Sequence, residues 1–258
     1  MFKILVTGSD GQLGRTIKDL GHKFKELEFD FKNSSELDIT DEYKINDLFS
    51  RENYDYCINC AAYTNVEQAE KTPEQAFKIN SEAVKQLAFL SFKYNIVFIH
   101  ISTDYVFDGT KLEPYIVGDE TNPINEYGKS KLFGEENIRQ VTPNHFILRT
   151  SWLYSKKFGH NFYRTILSKA KKGAELRITD EQYGCPTNTQ TLAKYIIEEV
   201  ILGDKEYGTY HVTDGKPMTW FDFANQILLE HGLDKNAQLV LDRNYRTFAK
   251  RPKNSVLN

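Results

Sequence analysis

The sequence predicts a doubly wound parallel α/β sheet followed by a smaller, irregular C-terminal lobe, on three observations. Strand-like runs alternate with helical periodicity through the first 150 residues, the pattern of βαβ units with right-handed crossovers. The segment 96–101 is nearly all apolar, as suits a central strand covered on both faces. A glycine cluster, Gly8 to Gly14, separates the first strand from the first helix.

A strand over residues 2–7 leads through those glycines into a helix from about Gln12 to Leu20, and a second strand spans 26–31. The helix at 41–51 takes Thr40 or Asp41 as its N-cap and places Leu48 and Phe49 on its apolar face. A strand at 56–61 precedes a long helix at 74–94, whose apolar positions Phe77, Val84, Leu87, Ala88 and Leu90 recur close to every 3.6 residues. After the 96–101 strand, a loop holding Pro114 and Pro123 leads to a helix carrying Tyr127, and 145–149 is another strand. Beyond Thr150 the alternation loosens into helices at 161–172 and 191–202, a short strand at 209–212 and an amphipathic helix at 219–231. Residues 1–150 are therefore expected to bind a nucleotide. Residues 151–258 should supply mainly a substrate-binding lobe interleaved with that core.

A chain of 258 residues can bury a full core. Its net charge of −3 gives no electrostatic reason to expect nucleic acid or an anionic membrane. No apolar run approaches the length of a membrane span, and the N-terminus enters a strand rather than a signal peptide, so a cytoplasmic protein is expected. Three cysteines make no disulfide framework. Cys57 and Cys60, three apart on one strand, should point to opposite faces rather than form a redox or metal pair.

The run Gly8-Ser9-Asp10-Gly11-Gln12-Leu13-Gly14 follows a strand and opens a helix. Glycines there permit a tight turn and close backbone approach to a pyrophosphate, which the helix N-terminus favours with free N–H groups and its positive dipole end. The spacing, G-x-x-G-x-x-G, differs from the familiar G-x-G-x-x-G, but its position argues for a Rossmann-type dinucleotide site. Asp30, ending the second strand, is the candidate for the adenosine ribose; a free carboxylate there favours NADH, while Lys32 or Arg15 would admit NADPH. Asp38 and Ile39 either meet the adenine or simply precede a helix cap.

Tyr127 and Lys131 form the only Tyr-x-x-x-Lys of the chain. Four residues apart on a helix they share a face, so the ammonium is expected to lower the phenol pKa and suit it to proton exchange with a substrate oxygen. His100 and His211 lie in strand-like runs and read as packed or loop-bonded rather than catalytic.

With the glycine loop, the segment Asn59-Cys60-Ala61-Ala62-Tyr63-Thr64 and Tyr127-x-x-x-Lys131 in this order, the chain resembles the extended short-chain dehydrogenase/reductases. Four further strings are similar to the dTDP-4-dehydrorhamnose reductases: Ser102-Thr103-Asp104-Tyr105-Val106-Phe107, Arg149-Thr150-Ser151-Trp152-Leu153-Tyr154, Gln182-x-Gly184-x-Pro186-Thr187 and Arg251-Pro252-x-Asn254-Ser255. The resemblance runs from Lys3 to Leu257. It implies reduction of dTDP-4-dehydro-L-rhamnose to dTDP-L-rhamnose by NADPH or NADH, with Tyr127 as proton donor, Lys131 as its partner and Thr103 as the hydroxyl that orients it. It further implies cofactor contacts from Gly8, Gly11, Gln12, Leu13, Gly14, Asp30, Asp38, Ile39, Ala61, Ala62, Tyr63, Thr64, Tyr127 and Lys131. Substrate contacts are implied for Thr103, Asp104, Trp152 and Arg251. The partner is a dTDP-sugar, and a homodimer is left open.

Some relatives hold magnesium with glutamates at a dimer interface. This chain has Arg15, Thr16 and Gln190 near the corresponding segments, so no metal is expected. The family pattern also runs on past the Arg-Pro segment into a helix, so the lobe is expected to be shortened at that edge. Dehydratases of the superfamily carry Thr-Asp-Glu where Tyr105 stands here, which leaves their acid/base pair incomplete. Another nucleotide-sugar ketoreductase, an epimerase, or a non-catalytic binding subunit like that of methionine adenosyltransferase are the remaining readings.

Overall fold

Alternate residues of the first strand, β1 (Phe2–Thr7), enter two different cores: Ile4 and Val6 one, Leu5 the other. That is the two-sided burial of a central parallel strand. The computed structural model, which describes residues 1–258, continues with α1 (Gln12–Gly21), β2 (Leu27–Lys32), α2 (Glu42–Arg51), β3 (Tyr56–Asn59), α3 (Val66–Lys71), α4 (Pro73–Phe77), α5 (Ala83–Lys93), β4 (Val97–Thr103), α6 (Glu126–Val141) and β5 (His145–Thr150). The second half adds β6 (Leu153–Tyr154), α7 (Phe162–Lys171), β7 (Leu176–Ile178), β8 (Tyr183–Gly184), β9 (Thr187–Asn188), α8 (Thr189–Lys194), β10 (Gly208–His211), β11 (Met218–Thr219), α9 (Trp220–Glu230) and β12 (Leu239–Leu241).

The main sheet runs β10-β5-β4-β3-β1-β2, every neighbouring pair parallel. The order reverses at β1, with β2 on one side and β3 on the other. A crevice therefore opens beyond the carboxyl ends of β1 and β3, where open α/β sheets bind ligands. One core lies between the sheet and helices α1 and α8, the other between the sheet and helices α2 and α5. Cys57 belongs to one and Cys60 packs against the other, so the two sulfurs do lie on opposite faces.

A third core, around Tyr154, Tyr163, Phe223 and Ile227, joins α7 and α9 with the β7–β12 pair. The residues after 150 are not one continuous lobe, because α8 and β10 return to the main sheet and its core. No helix is long and apolar enough to cross a membrane.

Two departures from the periodicity matter for the site. The helix expected at 74–94 is interrupted, α4 widening into a π-helical turn at Lys78–Glu82 before α5 begins. That turn presents Asn80, whose Oδ1 accepts the Tyr63 N–H (2.9 Å) while Nδ2 donates to the Tyr63 carbonyl and to Ser130 Oγ (3.0 Å each). π-turns of this kind recur where a side chain must be re-aimed. Apolar spacing does not reveal one, since Val84, Leu87 and Ala88 remain buried. The short α3, capped by Asn65 on the Gln68 N–H, is likewise invisible to the apolar pattern.

Candidate active site

The glycine loop lies at the switch point. Gly8 has φ +63°, and a Cβ on it would stand 2.6 Å from the Ala61 nitrogen, so the loop after β1 and the segment after β3 touch backbone to backbone. Gly11 caps α1 without any side-chain hydrogen bond, and the first turn holds no acidic residue, which leaves its N–H groups for an anion. Gly14 serves packing: its Cβ would meet Ser9 Cα at 2.6 Å. Gln12 ties the loop to the second half, donating to the Leu153 carbonyl (3.0 Å) and accepting from Asn161 Nδ2 (3.0 Å).

Helix α6 begins where Asn125 Oδ1 accepts the Gly128 N–H at 2.7 Å. Tyr127, Lys131 and Glu135 then recur every four residues along one face. Glu135 is wholly buried, accepting from Ser102 Oγ (2.5 Å), from Arg149 Nε and Nη2 (2.9 and 2.7 Å) and from Arg139 Nη2 (2.7 Å). Burial alone would raise its pKa, but the hydrogen bonds and charge of Arg149, with Ser102 and Arg139, hold it below the ordinary value. The pair rivets α6 to β4 and β5.

The electrostatics of Tyr127 differ from the expectation. Its phenol is pushed up to about 12, by burial first; the Thr103 hydroxyl works against that and the Asp104 charge adds to it. Lys131 does not lower it, because its Nζ is turned to the Ile101 carbonyl (2.6 Å) and to His100 Nε2 (3.0 Å). Burial brings Lys131 itself down to about 8. Asp104 accepts from Thr103 and Ser151 (2.9 Å each); burial raises it to about 6 against the hydrogen bonds of Ser255, Ser151 and Thr103.

These groups face a cleft of about 490 Å³, which Gly11, Gln12, Leu13, Ala61, Ala62, Thr64, Thr103, Asp104, Tyr127, Lys131 and Trp152 all line. A second cavity of about 300 Å³ shares Gly11, Ala61 and Ala62 with it and adds Gly8, Asp38 and Ile39. Four candidates lie outside both walls. Gly14 packs as described, and Tyr63 is engaged through its backbone with Asn80. Asp30, in register with Leu5 two residues before the end of β2, is taken up by the Tyr54 hydroxyl and by Lys32 (2.9 Å), leaving Asn33 and Ser34 to line the cavity. Arg251 is paired with Glu67 (2.5 Å) and raised in pKa by the neighbouring Tyr105 and Glu67 against its burial; Tyr105 does line the cleft.

Sequence reasoning missed Trp220. Its ring stacks on Trp152 with centroids 3.5 Å apart and planes 6° from parallel, and its Nε1 donates to Gln182 Oε1 at 3.0 Å. A Cβ on Gly184 would come within 2.6 Å of the Trp152 indole, so that ring is held between a glycine backbone and a second indole. Trp152 also has φ +48°, a strained conformation for a bulky residue, which this sandwich maintains. The signal was present: Trp220 is the chain's only other tryptophan and opens a helix just after its cap.

A parallel sheet with a glycine loop at its switch point, and a Tyr-x-x-x-Lys helix beside a strand-end threonine, defines the extended short-chain dehydrogenase/reductase class. Within it the chain belongs to the RmlD substrate binding domain family, which matches residues 2–258. It is 38% identical over 271 residues to the dTDP-4-dehydrorhamnose reductase of Aggregatibacter actinomycetemcomitans, covering 100% of this chain and 91% of that one. Among solved structures it resembles the dTDP-4-dehydrorhamnose reductase of Clostridium acetobutylicum, with TM-score 0.93 and 38% identity over 100% of this chain and 90% of that one. The Bacillus anthracis dTDP-4-dehydrorhamnose reductase, solved in complex with NADP, superposes with TM-score 0.93 at 33% identity, covering 100% of this chain and 91% of that one.

Proposed function

We propose that the protein reduces the C4 ketone of dTDP-4-dehydro-L-rhamnose to give dTDP-L-rhamnose, using NADPH or NADH, in the cytoplasm where the last step of making such a nucleotide sugar would run. The observation that carries this reading is the convergence of Tyr127, Lys131 and Thr103 on one cleft that the Trp152–Trp220 stack also lines.

The residues present fit a dinucleotide. The uncapped start of α1 offers N–H groups to a pyrophosphate, and the second cavity, with Asp38 and Ile39 in its wall, suits the adenosine end. Lys32 already neutralises Asp30, so its carboxylate does not stand free to repel a 2′-phosphate. When bound, the nicotinamide supplies the hydride for C4. Tyr127 stays protonated through neutral pH and so holds a proton to give to the ketone oxygen, with the Thr103 hydroxyl orienting its own. Lys131, one turn along, would hydrogen-bond the nicotinamide ribose and as an ammonium would stabilise the phenolate left behind. Trp152, both ring faces covered by Gly184 and Trp220, offers the edge of its indole to the sugar or base. Tyr105, where a dehydratase has glutamate, leaves Asp104 without the second carboxylate that an elimination needs.

Purified protein is expected to oxidise NADPH or NADH when given dTDP-4-dehydro-L-rhamnose. Tyr127→Phe should keep cofactor affinity and lose on the order of a hundredfold or more in kcat. Cofactor binding without turnover would leave a binding subunit instead, and full activity in Tyr127→Phe would remove the proton donor.

A further inference from the structure

A buried chain of polar side chains runs from Lys131 into the sheet. Lys131 is 1% exposed, His100 0%, Asn59 1% and Thr7 0%. Lys131 Nζ stands 3.0 Å from His100 Nε2, and His100 Nδ1 stands 3.2 Å from Asn59 Nδ2. Asn59 Oδ1 accepts from Thr7 Oγ1 at 2.7 Å and from the Ala61 N–H at 3.2 Å.

Donor and acceptor accounting decides where the protons are. The Ala61 backbone N–H is a donor in every state, so it fixes the Asn59 amide with oxygen toward Ala61 and nitrogen toward His100. That nitrogen only donates, which makes His100 Nδ1 the acceptor, bare of hydrogen. A neutral imidazole then carries its hydrogen on Nε2, aimed at Lys131. An ammonium has no lone pair to receive it, so a charged Lys131 would set donor against donor at a contact almost closed to water. A neutral amine accepts that hydrogen and still donates to the Ile101 carbonyl at 2.6 Å.

We infer that His100 is a positioning residue for the reaction: with Asn59 it holds Lys131 as the neutral amine in the cofactor-free protein, and the ammonium forms only as the site is loaded. The inference rests on the Tyr127–Lys131 reading above. The balance is simple, amine plus a proton from solvent giving ammonium. It requires Nζ to exchange Nε2 for new acceptors such as the ribose hydroxyls of a bound dinucleotide. Burial brings the amine to about 8, and the Nε2 hydrogen of His100 carries it further down, below neutral pH. From its own helix Lys131 faces Tyr127 and Glu135, and the Glu135 charge, which would favour an ammonium, is committed to Arg149 on β5. β3 presents Asn59 and, in the same cleft wall, Cys60, whose thiol burial keeps protonated. β4 presents His100, and Asp104 beyond it acts on Tyr127. Burial pushes His100 well below its ordinary pKa, so a second ring proton is no alternative.

The test is long-range proton–nitrogen NMR on protein carrying isotope-labelled histidine, without cofactor, at neutral pH. Six histidines give a readable spectrum, and His100→Gln assigns the signal by its loss. A bare Nδ1 with a protonated Nε2 is expected; a proton on Nδ1, alone or with Nε2, overturns the inference. This reading needs no turnover, so it stands apart from any failure of the reductase assignment. The pH profile of kcat/KM is the second arm. The side-chain amide oxygen introduced by His100→Gln can accept from an ammonium, so the alkaline limb should move up by about one pH unit. A limb that stays in place, with the melting temperature retained, also overturns it.

Discussion

Gly128→Ala separates the stability of this fold from its chemistry. Gly128 follows Tyr127 in the first turn of α6, and a Cβ built on it stands 2.2 Å from the Tyr105 carbonyl oxygen and 3.1 Å from Pro123 Cβ. The contact opposite is backbone, which cannot rotate away. Alanine favours a helix over glycine by roughly 1 kcal/mol. Overpacking of this kind costs about 1–3 kcal/mol. The net cost is about 0–2 kcal/mol, so the melting temperature should fall by no more than about 8 °C. The geometry does not recover in the same way. Ordinary contact requires the start of α6 to back off from the 104–106 turn by about 1 Å, and a shift of that size at reacting atoms costs on the order of a hundredfold in rate. Steady-state oxidation of the reduced nicotinamide should therefore show kcat down by about that factor. Cofactor affinity should change far less than kcat, because the pyrophosphate and adenosine contacts lie at the glycine loop and the second cavity rather than on α6. A variant that turns over within about threefold of the parent would refute the claim that this backbone contact sets the position of Tyr127.

Glu135→Gln replaces a carboxylate oxygen with an N–H donor against Arg149 and Arg139 and strands the buried Arg149 charge. A loss of about 3–5 kcal/mol is expected in denaturant unfolding, and a loss under about 1 kcal/mol would mean the guanidinium finds other acceptors. Trp220→Ala removes one side of the sandwich around Trp152, a stack worth about 0.5–1.5 kcal/mol beyond burial. Substrate KM should rise roughly two- to tenfold with cofactor KM unchanged, and an unchanged substrate KM would show that Gly184 alone suffices to hold the ring. Asp104, raised by burial from 3.8 to about 6, keeps its proton in the folded chain at pH values where the unfolded chain has lost it. Its contribution to stability is thus fully present below the ordinary carboxylate range and is lost as pH rises through about 6. Melting curves of the parent and Asp104→Asn should show that fall only in the parent; parallel pH dependences would assign the fall to another group.

The order of strands, the glycine loop and the Tyr127–Lys131 face were legible because each depends on residues close in the chain. Apolar runs choose strand or helix, glycines permit a turn, and a spacing of four sets two side chains on one face. The break of the 74–94 helix escaped the same reasoning, because a π-turn adds one residue without moving the buried positions on either side. Trp220 escaped because its partner, Trp152, is 68 positions away in the chain, and only the fold of the second half, which pairs β11 with β8 and sets α9 against α7, brings the rings to 3.5 Å. Asp30 was placed by its distance from the loop; the structure adds the Tyr54 hydroxyl and Lys32, which hold its carboxylate.

The sequence by itself determined which groups this protein has to work with: a dinucleotide loop, a phenol, an amine, a strand-end hydroxyl and an indole. Only the tertiary structure decided their protonation and their direction. Burial lifts Tyr127 and Asp104 and lowers Lys131, and His100 draws the amine away from the phenol it was expected to activate. The reason is physical. Identity and spacing are properties of neighbouring residues, whereas desolvation and hydrogen-bond partnership are set by whichever distant segments pack around a group.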